Sequence, residues 1–363
     1  MINKPKHQKI LYQFDTKFVS TETFSEFGTS FDVAKKVLVI GAPSFRTKGV
    51  DIKGRVFVYE HGELTEQLSI YGFSDFGRQV TISPNGYRIA CLAFKDKKAA
   101  IIVFRKKERW ELESTIPLEV DTTRCTLYFS NDSTRLFVVL PRYVRDNEYV
   151  GAILVYRLGG TKWKFEMEML GEPPEFGWFS TRSHQSTILV ANPEGKLYLF
   201  NTETRELQKF HEFQRKTPWS CFDVSEKWVI ASYPLLTKST THEVGEVEVY
   251  RRENNNLVLY STIGEANCGF GYCVKLHDDH LLVGASRYRT SYVRDVGAIV
   301  VYDLRTQPIT PVQLILPPTL SKGGHFGAWF RINNDTLWVG CPFIDDWSGV
   351  VFKYRKIEGT NKQ

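Results

Sequence analysis

Short apolar runs return along this chain at a nearly fixed interval, separated by polar and glycine-rich punctuation. The most regular run is Gly, any residue, aliphatic, any residue, usually aliphatic, then Tyr or Phe. It reads GRVFVY ending at Tyr59, AAIIVF at Phe104, GAILVY at Tyr156 and GKLYLF at Phe200, then GEVEVY at Tyr250, GAIVVY at Tyr302 and GVVFKY at Tyr354. The spacings are 45, 52, 44, 50, 52 and 52 residues. A second marker precedes each copy: VIGAP at 39–43, ACLA at 90–93, VVLP at 138–141, VANP at 190–193, ASYP at 231–234, VGAS at 283–286 and VGCP at 339–342. Further upstream lies an FG pair, at Phe27-Gly28, Phe76-Gly77, Phe176-Gly177, Phe270-Gly271 and Phe326-Gly327. The third and fifth repeats lack the pair but carry similar strands, CTLYFS and SCFDVS.

Each repeat reads as four strands. FGTSFDV alternates, as a half-buried strand does, and KKVLVIGAP is continuously apolar, as a strand covered on both faces should be. The Gly-x-aliphatic run is the third strand. A more polar strand such as RWELESTIPL (109–118) or KWKFEMEML (162–170) is the fourth, at the rim. SPNG at 83–86, EHGE at 60–63, RLGG at 157–160 and RENNN at 252–256 supply the turns. Four strands at a period of about 40–50 residues are the signature of propeller blades, which bury their faces only against neighbouring blades.

The expected fold is therefore all-β: a seven-bladed β-propeller of four-stranded antiparallel blades, one domain over 1–363. The blades fall at about 27–72, 76–119, 123–171, 176–213, 217–264, 270–317 and 326–356. After GVVFKY only RKIEGTNKQ remains, too little for a fourth strand in the last blade. The segment QKILYQFD at 8–15 has no other place, so it is expected to be that strand, closing the ring. Removing residues 1–16 should then open it.

Composition agrees with this picture. Hydrophobic residues make up 42% and aromatics 14%, enough for a large core, with Val, Ile, Tyr, Phe and Trp favouring strands and only three Met. The net charge of +6 suits weak attraction to acidic surfaces but lacks the basic stripe of a dedicated nucleic-acid binder. The six cysteines make no CxxC pair and no zinc spacing. MINKPKHQKILYQFD lacks the apolar stretch of a signal peptide, and no run reaches the ~18 apolar residues of a membrane span. The expected location is cytoplasmic or within a virus particle.

FG…LVIGAP…GRVFVY and FGYCVKLHDDHLLVGAS…GAIVVY resemble the FG-GAP repeats of integrin α-subunit propellers and bacterial integrin-like proteins. The resemblance covers nearly the whole chain. It implies a seven-bladed propeller used for adhesion or protein–protein contact. The family's calcium sites do not carry over: a hard cation wants several closely spaced oxygens, whereas the loops SFRTKGVDIKG, RYVRDNEYVG, LLTKSTTHEVG, RYRTSYVRDVG and FIDDWSG scatter Asp51, Asp146, Glu148, Asp295, Asp345 and Asp346 among Arg and Lys. No cofactor is expected.

GxSxG, Walker A, GxGxxG after a strand and HExxH are all absent. The first strands offer Asp32, Arg78, Arg182, Asp223, Lys275 and Arg331, mostly basic and without an acid/base pair, so no enzyme site is expected and an anion in the channel stays open. Cys221 and Cys273 align with Ser30, and Cys91 and Cys341 fall in the GAP-like segment, where small residues pack. Trp110 and Trp163 sit on fourth strands. Trp178, Trp219 and Trp329 stand beside the FG position, either wedged between blades or lining the channel mouth.

One constellation rises above this background, in the loops joining second to third strands. Arg142, Tyr143, Arg145 and Tyr149 belong to blade three; Arg287, Tyr288, Arg289, Tyr292 and Arg294 to blade six; Arg46, Lys48 and Lys53 to blade one. Repeat geometry should place all of them on one face. Either this is a solvated loop face, or it is a docking surface, since Arg and Tyr dominate interface hot spots. The expected function is a non-enzymatic protein-interaction scaffold or structural subunit of a larger assembly, one version being a minor capsid or tail part of a virus or phage. The alternative is a carbohydrate-binding lectin or integrin-like adhesion propeller, which would repeat one Trp/Tyr plus Asp/Asn pocket in several blades.

Overall fold

A computed structural model of the chain describes residues 11–46, 53–118, 120, 124–182, 186–214, 221–239, 242–253 and 256–357. It is an all-β, seven-bladed β-propeller of four-stranded antiparallel sheets. The chain divides into two compact units. Residues 22–218 hold blades one to four; residues 1–21 and 219–363 hold blades five to seven. Blade three is representative of the first unit, with strands Thr126–Phe129, Arg135–Leu140, Ala152–Gly159 and Lys162–Leu170. Blade six represents the second, with Phe270–His277, His280–Ala285, Ala298–Asp303 and Thr310–Ile315.

Within each unit the core lies between neighbouring sheets. One layer joins blades one and two around Val39, Val58 and Ile102, and another joins blades two and three around Leu92, Ile101 and Val138. A third joins blades three and four, and a fourth joins blades six and seven. Second and third strands are covered on both faces, so their apolar runs are continuous rather than alternating. The repeated glycine has a steric cause. A Cβ on Gly54 would lie 2.3 Å from the Phe76 carbonyl oxygen, and one on Gly297 would lie 2.1 Å from that of Phe326. The third strand of one blade thus meets the FG backbone of the next, whose Phe ring is fully buried. Blade two carries Ala99 at this position, and blade three, which follows it, is one of the two blades without the FG pair.

Blade seven is completed from the other end of the chain. Its strands Trp329–Asn333, Thr336–Cys341 and Val350–Lys356 are joined by Tyr12–Val19, which pairs antiparallel with Val350–Lys356. This corrects the expected boundaries of 8–15: the strand starts at Tyr12 and runs four residues past Asp15, while 8–10 lie outside the described residues. Only Tyr12 and Phe18 of the strand are buried, so its apolar pattern is too sparse to mark its end. Phe18 packs on Trp338 with ring centroids 5.9 Å apart. A bulge falls between Phe14 and Thr16, and there Asp15 meets Lys353 at 2.8 Å and Arg355 at 3.0 Å.

Blade six holds the same strand from the side. The buried Gln313 accepts from the Leu11 and Tyr12 amides at 2.9 Å each through Oε1, and its Nε2 donates to the Tyr12 carbonyl at 2.7 Å. A side-chain amide here satisfies backbone groups as a neighbouring strand would. The Tyr12 hydroxyl also hydrogen-bonds His277 Nδ1.

Candidate functional site

In blade three the loop after the second strand forms a small hairpin, Val144–Arg145 against Glu148–Tyr149, turning through Asp146 and Asn147 in left-handed conformation (φ 52° and 65°). Its cations are occupied from below. Glu168, on the fourth strand, pairs with Arg145 and accepts from the Tyr143 hydroxyl at 2.7 Å. Arg142 Nε donates to Glu175 at 3.2 Å and its guanidinium stands 5.9 Å over the Tyr149 ring. Trp178 sits under two guanidiniums, Arg124 at 3.9 Å and Arg142 at 6.0 Å. The loop is therefore stitched to its own blade and to the start of the next.

In blade six the equivalent loop, 286–297, is pinned at its base. The Gly297 amide donates to the Tyr288 carbonyl at 3.1 Å, as Gly151 does to Tyr143 in blade three. The Arg287 amide donates to the Cys268 carbonyl at 2.8 Å. The tip is a tight turn in which the Val293 amide reaches Thr290 Oγ1 at 3.0 Å and the Thr290 amide reaches the Val293 carbonyl at 3.0 Å. Tyr292, at that tip, is 95% exposed. Arg287, Arg289 and Arg294 are exposed around it, and among the described residues no carboxylate pairs with Arg289 or Arg294.

Blade one contributes less. Arg46 and Lys53 face each other across the strand pair, both exposed, and Lys48 lies outside the described residues. A feature that the sequence reading missed, apart from Trp329, lies in blade seven. Tyr272 meets Trp329 at 6.1 Å between ring centroids, Trp329 meets Phe343 at 5.9 Å, and Phe343 meets Trp347 at 4.8 Å. Trp329 is 38% and Trp347 47% exposed. The group rests on three consecutive left-handed residues, Asp345, Asp346 and Trp347 (φ 50°, 54° and 62°), a conformation that costs energy in non-glycine residues. The sequence marks FIDDWSG only as a loop without calcium-site spacing, and nothing in its composition announces that backbone.

The first-strand acids act as links between blades. Asp32 Oδ2 accepts from Thr81 Oγ1 at 2.7 Å and from the Ile82 amide at 3.0 Å. Asp223 Oδ2 accepts from the Leu276 amide at 2.7 Å. Arg78 pairs with Asp75 at 2.7 Å, and the side chain of Arg182 lies outside the described residues. Trp110 and Trp163 are buried, their indole N–H groups directed at Glu60 (3.4 Å) and Glu113 (3.0 Å) of the preceding blade. Trp219 lies outside the described residues.

Among the described residues no three His, Cys, Asp or Glu gather as a metal site, and no helix is long and apolar enough to cross a membrane. No family model matches the sequence, and no curated protein matches it.

Proposed function

We propose that this protein is a non-enzymatic interaction scaffold, a structural subunit of a larger assembly, and that the blade six loop docks an acidic or carboxylate-bearing protein partner. The observation that carries this reading is a loop fixed at its base that presents Tyr292 almost fully to solvent among Arg287, Arg289 and Arg294. A pre-ordered loop loses little freedom on binding. Guanidinium forks take carboxylates in bidentate fashion, and a tyrosine ring adds contact area at low ordering cost. The likeness of the repeats to FG-GAP propellers supports adhesion or protein contact as the use, and a virus or phage particle part is one form of it.

The test is selection from a displayed library of Asp/Glu-rich and neutral peptides on the intact chain, on R289A/Y292A/R294A and on R142A/R145A. Acidic sequences should enrich on the wild type and on the blade three variant, weaken with salt, and be lost on the blade six variant. Equal enrichment on all three proteins, or no acidic preference, sinks the reading. A second reading, glycan binding, is favoured by the half-exposed Trp329 and Trp347 beside Asp345 and Asp346. It requires glycan-array signals that disappear in W329A/W347A.

A further inference from the structure

Away from the loops, the first strands of blades five and six hold a second group of chemistry-bearing side chains. Cys221 opens the strand Cys221–Val224, and Cys273 lies within Phe270–His277. The two strands run side by side, tied by the Leu276 amide on Asp223. Each cysteine stands two residues before a charged one, Asp223 in the first strand and Lys275 in the second. That shared register brings the sulfurs together, and the two thiols hydrogen-bond across the blade boundary. None of the six cysteines is in a disulfide.

This pair differs from the other four. Burial pushes the Cys125 and Cys268 thiols up to about 12, and those of Cys91 and Cys341 higher still. Such thiols stay protonated and inert. Cys273 goes the other way: the hydrogen bond from Cys221 is the largest cause, it outweighs burial, and the Lys275 ammonium adds to it. Cys221 is raised in turn, first by giving that hydrogen bond and then by burial. Lys275 keeps its charge. Burial is the largest influence and opposes it, but Asp223 and the two sulfurs together prevail. The Cys273 thiol donates weakly to the Phe330 carbonyl oxygen, 3.8 Å from its Sγ. Cys273 is partly exposed and Cys221 buried. One sulfur is thus the more exposed and the more readily deprotonated of the two, and the other is a resolving thiol on the neighbouring strand.

We propose that Cys221 and Cys273 form an oxidation site for hydroperoxides, which closes a disulfide between blades five and six. The Cys273 thiolate attacks the terminal oxygen of the hydroperoxide and breaks the O–O bond. Sulfenic acid forms on Cys273, and the leaving alkoxide takes a proton from solvent to become the alcohol. The Cys221 sulfur then attacks the sulfenic sulfur and forms the S–S bond. The expelled hydroxide takes the Cys221 proton and leaves as water. The two sulfurs lose two electrons, and the hydroperoxide gains them.

The test uses the intact, reduced chain and hydrogen peroxide, followed by digestion and mass spectrometry. A peptide pair linked through Cys221 and Cys273 should appear with peroxide and vanish on reduction. Before oxidation, iodoacetamide at neutral pH should label Cys273 about tenfold faster than Cys125 or Cys268. C221S should leave a sulfenic acid on Cys273 that dimedone traps, and C273S should leave Cys221 unreactive. Serine suits this position, because Ser30 holds it in blade one and donates to the Gly77 carbonyl at 2.8 Å. The wild-type digest decides even if a variant fails to fold. Both cysteines remaining fully alkylatable after peroxide, or a link joining other cysteines, overturns the proposal.

Discussion

The loops RYVRDNEYVG of blade three and RYRTSYVRDVG of blade six are nearly the same in composition, and the fold uses them in opposite ways. Both are closed at the base by the same glycine-to-tyrosine hydrogen bond. In blade three Arg145 and Arg142 are then engaged by Glu168 and Glu175; in blade six Arg289, Tyr292 and Arg294 stand in solvent. The cause lies on a different strand. Glu168 faces Leu154 across the blade three sheet, and the residue facing the equivalent Val300 in blade six is Leu314. Glu168 beneath the loop, together with Glu175 at the start of the next blade, converts a presenting surface into a clamp. Exposed cationic composition alone therefore does not mark a docking site; what the neighbouring strand offers decides it.

The strongest way to break this contrast is to strip the presenting loop. R289A/Y292A/R294A should weaken acidic-peptide binding by about 3 kcal/mol, more than a hundredfold, read by fluorescence anisotropy. Leu314→Glu should come next, because it imports the clamp. Binding should fall roughly tenfold, with the chemical shift of the Tyr292 ring unchanged but those of the arginine side chains moved. The reverse exchange, Glu168→Leu, should cost no more than ~1 kcal/mol of unfolding free energy, since that pair is half-exposed, and should raise acidic-peptide binding at blade three. If Glu168→Leu leaves that binding unchanged, the clamp is not what silences the loop.

The smallest effect concerns pH. Burial, and then Lys356, hold the His277 pKa below its usual value, so the folded state favours the neutral ring. The contribution is full above the unfolded value of about 6.5 and is lost as pH falls from there through the lowered folded value. Amide exchange at Leu11 and Tyr12 should quicken over that window, while exchange in blade three should not.

The propeller was legible because its blade boundaries demand particular residues. Gly54 and Gly297 have no room for a side chain, and the buried Phe76 and Phe326 mark where the next blade begins. The completing strand was legible in place but not in extent, since Tyr12 and Phe18 alone carry its burial. The loops were legible as composition only. Arg145 meets a carboxylate 23 residues away on another strand, a pairing fixed by sheet register rather than by local pattern. The aromatic group around Phe343 escaped notice because its rings come from three separate segments and rest on left-handed backbone.

The zipper formed by Gln313 and Val350–Lys356 around Tyr12–Val19 sets the order of events during synthesis. The earliest of these strands leaves the ribosome unpartnered and waits until Val350–Lys356 has followed it. A message cut short before codon 350 yields a chain with an orphan strand at one end and an open sheet edge at the other. Such an edge is a ready template for aggregation and an opening for proteases.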